Sequence, residues 1–247
     1  MMRCETFGCM SLIDSLHLTQ PPVAVCFSDT IPEGIPLYAG TVPAGCRFWQ
    51  EATTSVFATA SSHHDLCSIG AYTHNLEANQ RDLGDALKVF ADLGYVREQD
   101  LPLIPVLSKQ TKFVVYGPLD AVPLPPDVVL LFVRADQTLI LSEASQQLEM
   151  GMPPAMGRPA CAVVPQAFNS GRTALSLGCC GARAYLDVLT PDVALYAIPG
   201  PMLAAFTERV DALAKANSVL TAFHTLRRKD VEAGKHPSVQ ESLAAMN

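Results

Sequence analysis

Short apolar runs closed off by proline or glycine alternate along the chain with stretches of helical period, which predicts an α/β or α+β protein with a mixed sheet flanked by helices. At 247 residues the chain is long enough for one large domain or two intimate lobes. Its 49% hydrophobic and 17% charged residues supply a full core and exclude a mainly disordered chain.

The first expected strand is "PPVAVCF" (21–27), which follows a proline stop, and the second is "SVFATA" (55–60). The helical stretch "RDLGDALKVFADLG" (81–94) aligns Leu83, Leu87 and Phe90 on one stripe and ends at Gly94, a residue suited to a left-handed cap. Strands are then expected at "KFVVYG" (112–117) and "DVVLLFV" (127–133), separated by the proline-rich "PLDAVPLPPD" (118–127). A helix over 136–150 leads to "PACAVV" (159–164) and "VALYAIP" (193–199), both read as strands. A long helix over 199–226 begins with proline in its first turn, and a short last helix follows Ser238, whose spacing to Glu241 fits a capping box. A faint internal echo suggests two similar halves: "PPVAVCF" leads to "LCSIGAY" as "RPACAVV" leads to "LGCCGARAY".

A net charge of -7 and a pI near 5.3, with cations gathered only at "LRRK" (226–229), argue against nucleic acid or an anionic membrane as partner. A small molecule or a redox partner protein fits better, with a second copy of the chain as a further option. No apolar run approaches the roughly 18 residues of a membrane helix. The amino terminus lacks the pattern of a secretion signal, so a cytoplasmic location is expected and the eight cysteines are read as free thiols, metal ligands or catalytic groups.

These cysteines differ in setting. Cys4 and Cys9 lie near the terminus, and Cys26 and Cys161 fall inside strand patterns that make them core residues. Cys46, Cys67 and the pair Cys179 and Cys180 instead sit at glycine-bearing turns, where a backbone without side chains leaves amides free to face sulfur or an anion. If these turns converge they form a thiolate cage, which suits an iron-sulfur cluster or zinc. The spacing alone is a weak signal, because no C-x-x-C occurs and 112 residues part Cys67 from Cys179. With Ser62 as a helix cap, His63 and Cys67 would share one helix face, and His64 would start the same helix; the alternative is a pair of exposed polar histidines.

The common nucleotide loops, the G-x-S-x-G elbow and H-E-x-x-H are all absent. "FNSGR" (168–172) is read at a helix start, where Arg172 with Asn169 and Ser170 would hold a carboxylate or phosphate unless they merely cap the helix. Thiol catalysis by Cys46 or Cys67 beside Arg47, His63 or a helix terminus stays open.

"PPVAVCFSDTIP", "CRFWQEA", "ATASSHHDLCSIGAYTH", "GRPACAVVPQAFNSGRTALSLGCCGARAY" and "YAIPG" occur in that order, and together they resemble the bacterial and archaeal family called domain of unknown function 169. The likeness spans about residues 20–228, and it implies one domain there, with a 1–19 extension before it and a 229–247 helical tail after it. It also implies an occurrence mainly in anaerobes and methanogens, and cysteines at Cys46, Cys67 and Cys179, with position 180 often aliphatic; no activity comes with it. The expectation is therefore an oxygen-sensitive protein with a four-iron cluster on Cys46, Cys67 and Cys179, one iron left open, and Arg47, His63, His64 and Arg172 placed around it or its substrate. Zinc or no metal, a cysteine-dependent enzyme without cofactor, and a non-enzymatic ligand-binding or accessory protein are the alternatives.

Overall fold

In the computed structural model, residues 9–41, 44–156 and 159–246 are described. Seven strands form one sheet: β1 (Val23–Ser28), β2 (Phe57–Thr59), β3 (Phe113–Pro118), β4 (Val128–Val133), β5 (Ala155–Met156), β6 (Ala174–Ser176) and β7 (Ala194–Pro199), in the order β2-β3-β1-β4-β7-β6-β5. Neighbours run antiparallel except β5 and β6, so the sheet is mixed, as expected.

Both faces of the sheet are covered, and the side chains of each strand divide between them. Val23, Val25 and Phe27 of β1 face one core, shared with helices α2 (Gly45–Glu51), α3 (Ser68–Thr73) and α6 (Val163–Ser170). Ala24 and Cys26 face the other, beneath α1 (Cys9–Leu16), α5 (Ala135–Gln147) and α7 (Leu203–Glu232). Double burial explains why β4 has no polar residue: all six of its side chains leave water. Leu12 and Leu16 hold α1 in the second core against α7, so the helix that opens at Cys9 is part of the packed body. Cys4 lies outside the described residues.

The helical expectations at 81–94 and 136–150 correspond to α4 (Gln80–Asp92) and α5, and Gly94 takes the left-handed conformation, φ 66°. The long helix starts at Leu203, after a 3-10 turn holding Pro201, and runs to Glu232. In α8 (Val239–Ala244) the capping box forms as read: Glu241 N donates to Ser238 Oγ at 3.2 Å and Ser238 N to Glu241 Oε2 at 2.7 Å.

Two expectations are corrected. "PACAVV" is not a strand; it forms a 3-10 turn (Ala160–Ala162) running into α6. Its uninterrupted apolar character reflects a helix buried on every side, and Pro165 is tolerated because it stands in the first turn, where no intrahelical amide is needed. The echo that paired "PPVAVCF" with this segment therefore matches a strand to a helix. The topological counterpart of β1 is β4, its antiparallel neighbour at the sheet centre.

Candidate thiol site

Three short segments on the first face meet at their starts. Helix α2 begins at Gly45 after the extended Ala44, which puts Cys46 in its first turn, buried against the sheet. Helix α3 begins after Cys67, and the Ala160–Ala162 turn carries Cys161; α2, α3 and this turn pack on one another. Cys161 Sγ lies 4.0 Å from the carbonyl oxygen of Ile69, within the α3 turn. The backbone at Gly70 and Gly45 partly offsets the effect of burial on the Cys67 thiol. Glycine is required at position 70, because a β-carbon there would stand 2.9 Å from Cys67 Sγ.

Cys179 comes from the other half of the sheet but onto the same face, on the turn between β6 and a π-helical turn (Gly181–Tyr185). Gly178 supplies the left-handed residue, φ 82°, and Ala182 N donates to Cys179 Sγ at 3.5 Å. Arg183 ties this turn down by donating to the carbonyls of Leu177 (2.6 Å), Val193 (3.0 Å), Leu189 (3.3 Å) and Thr190. A lysine cannot span this fork of acceptors. Arg183→Lys is expected to cost about 2 kcal/mol of stability and to speed amide exchange over 177–190; unchanged exchange there would show that the turn holds itself.

Cys46, Cys67, Cys161, Cys179 and Cys180 all line one cavity of about 740 Å³. The buried thiols also sense one another. Burial pushes the Cys46 thiol well above its ordinary range, and the neighbouring Cys161, Cys67 and Cys179 push it further. Burial likewise raises Cys67, with Cys179 adding to the effect, and raises Cys161, with Cys67 and Cys179 adding. Cys180 is exposed, whereas Cys179 is half-buried. Cys26 lies in the second core, remote from the cavity, and burial there lifts its thiol to about 12.

The opposite wall of the cavity is α4 and the 3-10 segment Glu98–Leu103. Only Leu83 of the predicted stripe is buried; Leu87 and Phe90 face the cavity. With Val96, Ile104 and Leu186 they make its lining largely apolar. A ligand of drug-like size and little charge fits such a space.

The predicted polar residues are distributed differently. His64 is 1% exposed, stacks edge-on with Phe48 at 5.0 Å and lies beside Gly45 and Gly70, yet neither ring nitrogen has a hydrogen-bond partner. Burial, helped by His74 and His63, lowers its pKa to about 3, so it is a neutral donor next to the thiols. His63 does not share a helix face with Cys67, because residues 61–64 form a 3-10 turn that stops before Cys67; its Nδ1 accepts from Ala60 N at 2.9 Å. Arg47 binds along its own helix, to Glu51 (3.2 Å) and Gln50 (2.6 Å). "FNSGR" lies at the end of α6, not its start, and Gly171 caps it in the left-handed conformation. The negative end of the helix disfavours an anion there, Arg172 is exposed, and Asn169 binds the backbone of Val106 and Ser108.

These donors fit a thiophilic metal group: several soft sulfurs, backbone amides directed at them and an unpartnered neutral imidazole alongside. Among the described residues no three His, Cys, Asp or Glu side chains stand close enough to hold a single ion.

Fold and site together define a mixed-sheet α/β protein with several thiols in the lining of one largely apolar cavity. The family described as DUF169, uncharacterised ArCR, matches residues 11–209, and the chain belongs to that family. No curated protein and no solved structure matches it.

Proposed function

We propose that this protein holds a thiolate-ligated metal group, an iron-sulfur cluster in the first instance, and uses it on a small apolar molecule or in electron transfer. The observation that carries this reading is the arrival of Cys46, Cys67 and Cys179, from turns far apart in sequence, at the floor of one cavity. Bound iron would supply redox chemistry there; Cys46, Cys67 and Cys179 would hold it, facing the apolar wall of α4 and Ile104. A metal-free nucleophile is a poorer reading. A free nucleophilic thiolate would call for a cation beside it, and Arg47, the predicted one, is engaged by Glu51 and Gln50.

Anaerobic purification with iron, sulfide and zinc determined on the same sample tests this. The expected result is a brown protein with a broad band at roughly 400 nm and about four irons per chain. Protein that stays colourless and metal-free after loading with iron and sulfide, and that takes up no zinc, would overturn the reading.

A further inference from the structure

The sheet repeats itself about its centre. Outward from the antiparallel pair β1 and β4, the order is β3 then β2 on one side and β7 then β6 on the other. The register repeats as well. Val23 of β1 stands opposite Pro118 of β3, and Val128 of β4 stands opposite Pro199 of β7. Phe57 pairs with Tyr116 across β2 and β3, and Ala174 with Ala197 across β6 and β7. A twofold axis normal to the sheet therefore carries β1 onto β4, β3 onto β7 and β2 onto β6, with the strand ends coinciding.

The alternation of faces obeys the same operation. Val23, Val25 and Phe27 match Val128, Leu130 and Phe132 on the first face, and Ala24 and Cys26 match Val129 and Leu131 on the second. Such an axis keeps each face on its own side, so cysteines placed equivalently in the two halves gather on one face.

They are placed equivalently. In each half a helix precedes the short strand: α2 before β2, and α6 before β6. Cys46 stands at the start of the first, and Cys161 in the turn that leads into the second. After each short strand comes a second thiol packed against the residue three positions on: a β-carbon at Gly70 would stand 2.9 Å from Cys67 Sγ, and Ala182 N donates to Cys179 Sγ at 3.5 Å.

We infer that Cys161 is the fourth protein thiolate of the metal site, the counterpart of Cys46 as Cys179 is of Cys67, so that each half contributes two sulfurs. This rests on the metal reading above and changes it: a four-iron cluster so held has a cysteine on every iron, with no open position for a ligand. Each thiol gives up its proton to solvent as its iron-sulfur bond forms.

The test uses the full chain, loaded anaerobically with iron and sulfide, with iron counted per chain and the dithionite-reduced protein examined by electron paramagnetic resonance. Cys161→Ser is expected to lower iron content at least about twofold and to shift or abolish the resonance, as Cys46→Ser does, while Cys26→Ser matches the unaltered protein. Cys161→Ala, which keeps a small apolar group in the buried site, gives the same readout if the serine variant unfolds. If the unaltered protein binds its cluster and both Cys161 variants keep full iron and an unchanged resonance, Cys161 is a packing residue and the inference fails alone. If the unaltered protein binds no metal, the reading beneath it fails as well.

Discussion

Cys46→Ala and Cys67→Ala are each expected to lower bound metal at least about tenfold, to the background of the assay, while Cys26→Ala leaves it unchanged. The comparison with Cys26 separates location from burial. Cys26 and Cys46 are both buried thiols on or against the same sheet, and burial raises both; they differ in the face they occupy. If metal content tracked general destabilisation, removing either thiol would have the same consequence, since both leave a gap of similar size in a core. If it tracks ligation, only the thiols on the α2 and α3 face matter. Iron and sulfide counts on the three variants, set beside their urea midpoints, decide the matter: equal metal loss in Cys26→Ala and Cys46→Ala would sink the site.

Apart from the three-residue β2, whose apolar run "SVFATA" extends beyond it, the strands that were legible in sequence share one property. β1, β3, β4 and β7 are runs of six residues whose two faces are both buried, so apolar character extends through the strand and breakers mark its ends. β6 has only three residues, Ala174–Ser176, too few for a period to show. The same holds for α2 and α3, of seven and six residues, whose helical form depends on the sheet beneath them more than on their own pattern. "PACAVV" failed for another reason: periodicity cannot separate a buried helix from a buried strand, and the flanking prolines suggested the strand.

That single misreading hid Cys161. It is the core thiol expected, 3% exposed, but in a 3-10 turn against α3 rather than a strand it also joins Cys46, Cys67 and Cys179 around one cavity. The other three are singled out in the sequence by their glycine-bearing turns. The signal available for the fourth was the spacing itself, because Cys46 to Cys67 and Cys161 to Cys179 both bracket a helix and a short strand. His64 and His63 looked alike in "SSHHDLC", and only the turn they occupy separates a buried imidazole beside the thiols from a capping residue.

Phe48→Ala is expected to remove about 4 kcal/mol of stability, a large part of the 5–15 kcal/mol that holds a typical domain. Phe48 is fully buried in α2, two residues beyond Cys46, and its ring meets Tyr38 at 4.7 Å, His64 at 5.0 Å, Tyr116 at 5.9 Å and Phe57 at 6.1 Å. It is thus the contact through which α2, the β2 and β3 edge and the 61–64 turn are held in one arrangement. Truncation removes the transfer free energy of the ring and leaves a space that four neighbouring rings cannot all close around, since each is fixed on a different element. Phe48→Leu keeps most of the volume and is expected to lose about half as much. Val219→Ala, at an exposed position of α7, is expected to stay within about 0.5 kcal/mol. Urea midpoints at constant slope give the three values. A loss below about 1 kcal/mol in Phe48→Ala would mean that α2 is held by other contacts. The same variant connects stability to the site: with Phe48 gone, α2 and His64 lose their common support, and metal content should fall even though every cysteine remains.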